Sequence, residues 1–353
     1  MGFLDHDPGH NTSYVYGEDI YGGWGERYFF TFYTEFGNRH FEMSAELILL
    51  GLIFIFSLSA NLFVFTTVMM NSVLQTITNY FLLNLTAADI LFCLSIPAIM
   101  YARVSPQWPL GDMICKVLPY SQFVCGFVLI WTLTLISMDR YFCIVVPPYR
   151  SKLNPRRAIL LTMATWAIAC ILFLPVALWF RQQEVLENHA LICTIVFPAV
   201  STISVSFAFV VVLISLACLL PLVLLVYYYK KIFEKLVQTK QVWERSHLSS
   251  HHARHRRVVR MLIVSVSVIL IMWLPIFLTM ILIYVDGRRE TSDLDFFLRS
   301  HHFLWSLILA LANTVVNPLL YGALSENFIE CLTKRKRLLN NSTLSVAAVA
   351  RIS

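Results

Sequence analysis

The stretch SMDRYFCIV, residues 137–145, sets a carboxylate and a guanidinium side by side at Asp139 and Arg140. An uncharged run from Val117 to Met138 precedes this pair, and apolar residues follow it. Charged side chains are costly inside a lipid bilayer and occur where water, a partner protein or another helix receives them. The pair therefore indicates the end of a membrane-spanning helix.

The composition also indicates a membrane protein. The 353 residues are 58% hydrophobic and only 14% charged, whereas soluble domains carry about 25% charged residues. Apolar runs long enough to cross about 30 Å of hydrocarbon predict seven spans, which place the two chain ends on opposite sides. The spans are predicted at residues 45–70, 78–102, 113–138, 157–179, 201–229, 258–285 and 303–321.

The distribution of basic residues predicts the orientation in the plasma membrane. Most of the 27 Lys and Arg residues lie at or beyond the exits of spans 3, 5 and 7, whereas the first 43 residues hold seven acids. Because cytoplasmic loops carry an excess of Lys and Arg, we expect an extracellular N-terminus and a cytoplasmic C-terminus. The net charge of +6 is thus a topology signal and not a sign of nucleic-acid binding.

We divide the chain into an extracellular tail (1–43), a seven-span domain (44–323) and a cytoplasmic end (324–353). Asn11 begins an Asn-Thr-Ser glycosylation sequon in the outer tail. Of the eight cysteines, only Cys115 and Cys193 fall on the oxidising outer side, so we expect them to form a disulfide.

Several spans contain polar residues or prolines that contact with lipid alone would not favour. A buried carboxylate such as Asp89 must find partners, and the available donors within the spans are Asn61, Asn313 and Asn317. Prolines permit kinks whose freed carbonyls need other partners. They stand in spans 5, 6 and 7 at Pro221, Pro275 and Pro318.

These residues together resemble a rhodopsin-like (class A) G-protein-coupled receptor. The resemblance covers residues 45 to 335, with one signature per span in the right order. The signatures are Asn61, Leu85 with Asp89, Cys115, Asp139-Arg140-Tyr141, Trp166, Pro221 with Tyr229, Trp273-Leu274-Pro275, and Asn317-Pro318-Leu319-Leu320-Tyr321 followed by Phe328. The resemblance implies an all-α membrane protein with a seven-transmembrane helix bundle and a short amphipathic eighth helix, at 328–337.

The resemblance also implies how such a receptor switches. Arg140 would be restrained by Asp139 in the inactive state and freed toward Tyr229, Tyr321 and a heterotrimeric G-protein in the active state. Trp273 would be the toggle beneath the ligand pocket. A G-protein would bind the basic rim around Arg140, and the receptor would catalyse nucleotide exchange on it.

The cytoplasmic end carries candidate modification sites. Cys331, in the amphipathic eighth helix against the membrane lipids, is a candidate palmitoylation site. Phosphorylated serines and threonines of the tail would recruit arrestin. These are Ser342, Thr343, Ser345 and Ser353.

Two ligand classes are left open. Gln122 stands where amine receptors place an acid, and Leu311 stands where opsins place a lysine, which argues against amines and retinal. The segments TNYFLLNLTAADILFCLSIPA and WPLGDMICKVLPYSQ are similar to orexin-like neuropeptide receptors, in which a Gln matching Gln122 is usual. A peptide would rest on the loop around Cys193 and reach toward Gln122 and Trp273. This is the preferred interpretation.

The alternative ligand is a long-chain fatty acid or another lipid. Arg103 and the segment WFRQQEVLENHALICTIVFP resemble the omega-3 fatty-acid receptor, in which the matching arginine has been considered a carboxylate partner. An apolar pocket would then take the acyl chain. Its expected lining is Phe123, Trp179, Phe207 and Trp305.

Other functional classes are less consistent with the sequence. A seven-helix transporter is the distant alternative, but it would be expected to show internal repeats and further charges along a path through the membrane. An enzyme would need a cluster of nucleophile, base or metal ligands. His247, His251 and His255 recur at helical spacing, yet no carboxylate or cysteine completes a metal set. We therefore predict no enzyme, no metal and no cofactor.

Overall fold

The computed structural model contains a bundle of seven helical spans. It describes residues 14–18, 24–29, 32, 40–71, 76–105, 107–185, 190–198, 205–243, 249–286 and 300–324. Within them, seven helices are long and apolar enough to cross a membrane: Met43–Met70, Ile77–Val104, Gly111–Ile144, Pro155–Trp179, Val205–Lys235, Val266–Ile283 and His302–Leu320. The predicted seven-span fold is confirmed. The predicted eighth helix lies outside the described residues.

Two of the seven spans are interrupted, so nine α-helical segments build them in the described part of the chain. The segments are α1 (His40–Met70), α2 (Ile77–Cys93), α3 (Ile96–Val104), α4 (Gly111–Ile144), α5 (Pro155–Trp179), α6 (Val205–Leu213), α7 (Leu220–Trp243), α8 (Ser249–Asp286) and α9 (Ser300–Leu324). Span 2 consists of α2 and α3. Span 5 consists of α6, a π-helical turn at Ile214–Leu219, and α7.

The third span, α4, is the centre of the bundle. It packs against α2, α5 and α7 and touches α8, whereas α1 packs on α2 and α9. Spans 2 and 3 bury most of their central residues inside the protein, while spans 1, 4 and 5 turn most of theirs outward. The Asp139–Arg140 pair lies in the last turns of α4, which ends at Ile144.

Span 2 breaks at Leu94 and Ser95, close to a proline. Pro97 has no backbone N–H, so it cannot donate to the carbonyl of Cys93 one turn earlier. The Ser95 N–H bonds the nearer Phe92 carbonyl at 3.3 Å, which tightens the turn, and α3 starts at Ile96. The outer third of span 2 is therefore a separate helical segment.

Span 5 contains a π-helical turn immediately before Pro221. In this turn the Leu220 N–H bonds the Ser215 carbonyl, five residues earlier. In the same register the Leu216 carbonyl would need the N–H of residue 221, which proline lacks. The indole Nε1 of Trp131, in α4, takes that place and donates to the Leu216 carbonyl at 3.1 Å.

Two β-hairpins lie before α1 and after α5. The first pairs β1 (Tyr14–Glu18) with β2 (Trp24–Phe29), and the second pairs β3 (Phe180–Val185) with β4 (Ala190–Ile195), both antiparallel. Strand β2 lies beside β4. The register of the second hairpin sets Gln182 opposite Cys193. Cys193 forms a disulfide with Cys115 at the start of α4, as the sequence predicts.

We expect Trp131→Phe to destabilise the bundle, because an aromatic ring remains but the half-buried Leu216 carbonyl loses its donor. An unsatisfied carbonyl within a membrane span lowers the apparent melting temperature by about 2–6 °C. Unfolding is followed with a maleimide dye that reacts with the buried free thiols Cys93 and Cys125 as they become exposed. Trp305→Phe, on an exposed part of α9, is the control and should change the value by about 1 °C or less. Equal shifts in both variants would contradict this role of the Trp131 indole.

Candidate functional site

A buried carboxylate lies in the middle of the bundle. Asp89, in α2, is fully buried, and Nδ2 of Asn317, in α9, donates to its two oxygens at 3.0 and 3.4 Å. Asn61, in α1, donates instead to the backbone carbonyl of Thr314 at 2.9 Å. The amide of Asn313 is buried and makes no hydrogen bond to another residue in the described ranges.

This geometry corrects the expected set of donors for Asp89. Asn317 contacts the carboxylate, but Asn61 and Asn313 do not. The Asn61 amide does not reach Asp89; besides the Thr314 carbonyl, it donates to the Ser57 carbonyl of its own helix at 2.9 Å. It therefore joins α1 to α9, whereas the Asp89–Asn317 bond joins α2 to α9.

A second polar chain links α2, α4 and α5. The indole Nε1 of Trp166 donates to Oδ1 of Asn84 at 2.7 Å, and the Asn84 amide donates to Oγ1 of Thr132 at 2.7 Å. Both oxygen and nitrogen of the Asn84 amide are thus satisfied between helices. Trp166 was singled out in the sequence, whereas Asn84 was missed, although an amide within an apolar span is itself a sign of a partner.

Trp273 lies face to face with an aromatic ring of span 2 and against a glycine of span 3. Its ring stacks on Phe92 with the centroids 5.7 Å apart. A Cβ atom added at Gly126 would lie 2.7 Å from Cη2 of the indole, well inside contact distance. Gly126 therefore gives the indole its space. Two residues after Trp273, Pro275 lies inside α8, and its carbonyl accepts a hydrogen bond from Thr279 at 2.8 Å.

The charged pair at the end of α4 is held by several donors. The Asp139 carboxylate is fully buried and accepts hydrogen bonds from Arg140 at 2.9 Å, Thr78 at 3.1 Å and Ser151 at 2.5 Å. Arg140 also contacts the Thr78 hydroxyl. Thr78 belongs to α2, and Ser151 belongs to the loop between α4 and α5, so the pair is tied to both.

The tyrosines assigned to the switch lie in different surroundings. The Tyr141 ring packs on Tyr227 and Tyr228, with centroids 6.0 and 5.4 Å away. The Tyr229 hydroxyl lies 2.8 Å from Oγ of Ser137, one turn before Arg140 along α4. Tyr321 lies in α9, and its side chain is outside the described part of the structure.

At the outer end of the bundle, Arg103 is paired within the protein. Its guanidinium donates to the two carboxylate oxygens of Glu46 at 2.7 and 3.2 Å. The two side chains are only 3% and 0% exposed. Also at the outer end, Phe32 is buried beside Trp108 and Phe303, with ring centroids 6.1 and 6.2 Å away.

Gln122, about three turns into α4, faces span 2. Its amide donates to Oγ of Ser95 at 3.3 Å, and the Ser95 hydroxyl donates in turn to the Phe92 carbonyl at 2.7 Å. Gln122 is therefore linked to the break in span 2 and, through Phe92, to the stacked Trp273.

The expected apolar pocket is only partly assembled. Phe123 and Trp179 belong to one aromatic cluster, and both pack on Phe209, with centroids 5.9 and 5.7 Å away. Phe207 and Trp305 are not inside it: they are 54% and 39% exposed, on the outward faces of α6 and α9. Their assignment to the pocket is wrong.

The chain matches one protein-family model over most of its length. The model is that of the seven-transmembrane receptors of the rhodopsin family, and it covers residues 60–321. The chain belongs to the rhodopsin-like, or class A, family of G-protein-coupled receptors. The family is one of receptors, so the transporter alternative is not favoured.

The receptor is also similar to curated peptide receptors. It is 28% identical to somatostatin receptor type 4 of Rattus norvegicus over 285 residues, which cover 79% of this chain and 69% of that protein. It is 28% identical to somatostatin receptor type 2 of Mus musculus over 305 residues, 84% and 80% of the two chains. It is 28% identical to neuropeptide Y receptor type 2 of Homo sapiens over 296 residues, 80% and 72%.

Sequence reasoning missed several residues that the receptor's structure brings to these sites. Glu46, Gly126 and Ser151 were not singled out. A lone acid inside predicted span 1 is a signal for a cationic partner, whereas a glycine or a loop serine gives none. Asn11 and Cys331, the candidate glycosylation and palmitoylation sites, and the candidate phosphorylation sites of the tail lie outside the described residues.

We expect Gly126→Ala to destabilise the receptor, because the new methyl group would overlap the Trp273 indole. Overpacking of this kind should lower the apparent melting temperature by about 3–8 °C. Gly51→Ala is the matched control, since its methyl group would meet Met100 at an ordinary 3.8 Å. The dye-based unfolding measurement tests both variants. Gly126→Ala with the stability of Gly51→Ala would contradict the packing described for Trp273.

Proposed function

We propose that this receptor is activated by an extracellular peptide and catalyses nucleotide exchange on a heterotrimeric G-protein in the cytoplasm. The observation that carries the peptide assignment is the Glu46–Arg103 ion pair. It neutralises the one cation that the sequence offered as an anchor for a fatty-acid carboxylate. The similarity to receptors named for somatostatin and neuropeptide Y supports the same assignment.

The aromatic residues at the outer end also favour a peptide over a lipid. Phe123 packs against Phe173 and Phe209, so these rings fill the space between α4, α5 and α6 themselves. An acyl chain would have to displace these contacts. A peptide would instead engage the polar groups at the mouth, with Gln122 at its deepest point and the β3–β4 hairpin above.

The cytoplasmic end supports a role for Arg140 in coupling. In the structure its guanidinium is bonded to Asp139 and Thr78, on the α2 side of α4. Release of these bonds would free a cation beside the ends of α7 and α8, where an α-helical terminus of a Gα subunit would bind. Arg140 would then contact Tyr321 and Tyr229, whose hydroxyl lies beside Ser137 of α4.

The remaining expectations complete the proposal. The receptor would lie in the plasma membrane with residues 1–43 outside, residues 44–323 as the seven-span domain and residues 324–353 inside. The charge distribution supports this orientation. Asn11 would then be glycosylated outside the cell, and Cys331 would be palmitoylated at the inner leaflet. Phosphorylated serines of the tail would recruit arrestin. The amphipathic eighth helix would lie on the inner leaflet.

The ligand class is tested in cells that express the receptor. We expect at least one member of a panel of amidated and free neuropeptides, including somatostatin and neuropeptide Y peptides, to activate a G-protein reporter. Micromolar long-chain fatty acids should give the signal of empty-vector cells. Gln122→Ala, at matched surface expression, should raise the peptide concentration needed for half-maximal activation about tenfold, since one polar contact is lost. Activation by fatty acids with no peptide response would overturn the peptide assignment.

A second prediction concerns the resting state. Removing the Ser151 hydroxyl deletes one of the hydrogen bonds that hold Asp139. A bond worth about 1 kcal/mol shifts a two-state equilibrium about fivefold, so Ser151→Ala should raise basal nucleotide exchange by about that factor. The measurement is GTP-analogue binding to purified heterotrimer with receptor in nanodiscs.

The matched control for Ser151→Ala is Ser121→Ala, whose hydroxyl donates only to the Leu118 carbonyl of its own helix among the described residues. It should leave basal exchange unchanged. The double variant Ser151→Ala/Arg140→Ala should lose the increase, because Arg140 carries the signal. Unchanged basal exchange in Ser151→Ala would show that this bond does not restrain the switch.

A further inference from the structure

A fully buried ion pair joins the outer ends of spans 1 and 2. Nε and a terminal nitrogen of Arg103 donate to the two oxygens of Glu46 at 2.7 and 3.2 Å, a two-point geometry that orients both side chains. Neither side chain is more than 3% exposed. Removing one partner from such a pair leaves an uncompensated buried charge, which is strongly unfavourable. The pair can therefore hold two helices in a defined position.

The helix that carries Arg103 is separated from the inner part of span 2 by a break. The break at Leu94 and Ser95 separates α3 from α2, and Pro97 removes a backbone hydrogen bond across it. Segment α3 is only nine residues long and packs chiefly on α1. Side-chain contacts therefore help to set its direction.

Polar contacts hold α3 at both ends. Arg103, one residue before its last, is bonded to Glu46 of α1. Ser95, which precedes its first residue, accepts a hydrogen bond from Gln122 of α4 at 3.3 Å. The neighbouring Phe92 stacks on Trp273. A rotation of α3 about its break would thus be felt at Gln122 and at the Trp273 indole.

We propose that the Glu46–Arg103 pair is the clamp that positions α3, with Glu46 acting as a built-in carboxylate for Arg103. The clamp keeps Ser95 in hydrogen-bonding contact with Gln122, and so it fixes the position of the residues at the bottom of the ligand site. Glu46 and Arg103 are positioning residues, and neither needs to touch the ligand. Only this last consequence, for the ligand site, rests on the proposed function.

The position of α3 is measured directly in the purified full-length chain. Nitroxide labels are introduced as unnatural amino acids at Ile48 of α1 and Tyr101 of α3, both of which are exposed. In the otherwise unchanged chain the distance distribution should be narrow. In Glu46→Ala it should broaden at least twofold. Labels at Ile48 and Leu91 of α2, also exposed, are the control and should stay narrow, because α2 lies before the break.

Chemical rescue tests whether the carboxylate itself is required. Acetate at about 100 mM should narrow the Ile48–Tyr101 distribution of Glu46→Ala, because it can pair with the Arg103 guanidinium in the space left by the deletion. Acetamide, which has the same shape without the charge, should not. Acetate should leave Arg103→Ala unchanged. Equal effects of acetate and acetamide, or a narrow distribution in Glu46→Ala without any additive, would overturn the proposal.

A double variant separates positioning from stability and covers the case in which single variants fold poorly. Glu46→Met/Arg103→Met removes both charges and fills the space with apolar side chains, so its melting temperature should exceed that of either single methionine variant. Its Ile48–Tyr101 distribution should nevertheless remain broad, because the two-point bond is gone. A narrow distribution would show that packing alone positions α3, and would overturn the proposal.

These measurements require neither a peptide nor a G-protein. If the clamp behaves as proposed while no peptide activates the receptor, the proposed function fails and the clamp stands. If a peptide activates the receptor while α3 keeps its position without Glu46, the clamp fails and the proposed function stands.

Discussion

Hydrocarbon offers no hydrogen-bonding partner, so polar groups within the spans are stabilised chiefly by partners in the protein itself. The bonds that meet this requirement are also the bonds that join the helices. Asp89 ties α2 to α9 through Asn317, and Asn84 ties α2 to α4 and α5. The Asp139–Arg140 pair follows the same rule, since the buried Asp139 accepts hydrogen bonds from α2, α4 and the following loop.

Two prolines each leave a backbone carbonyl within a span without its usual N–H donor. In both cases a functionally relevant side chain lies beside the interruption. Pro221 leaves the Leu216 carbonyl to the Trp131 indole, which fastens span 5 to the central α4. Pro97 lies at the break in span 2, where Ser95 receives Gln122 and Phe92 supports Trp273. Side chains of neighbouring helices thus support both interrupted spans at their interruptions.

Much of this arrangement could be predicted from the sequence because its signals are local. Span positions follow from apolar length, and the Cys115–Cys193 bond follows from which cysteines lie outside. The errors came from deciding which face of a helix points inward. Both faces of a membrane helix are apolar, so periodicity does not separate Phe303 from Trp305 on α9. On span 5 the π-helical turn adds one residue and rotates everything before it by roughly 100°, which brings Phe209 inward and turns Phe207 out.

The sequence alone determined that this chain crosses the membrane seven times, because hydrophobic length and the placement of charge act locally and need no partner. It also identified the residues of the receptor family, since their types and order are visible in one dimension. Only the tertiary structure decided which of them meet. Arg103 read as an anchor for a ligand's carboxylate until Glu46, 57 positions earlier, was found bonded to it. A pairing between distant helices depends on how the bundle closes around a buried charge, and no local pattern records that.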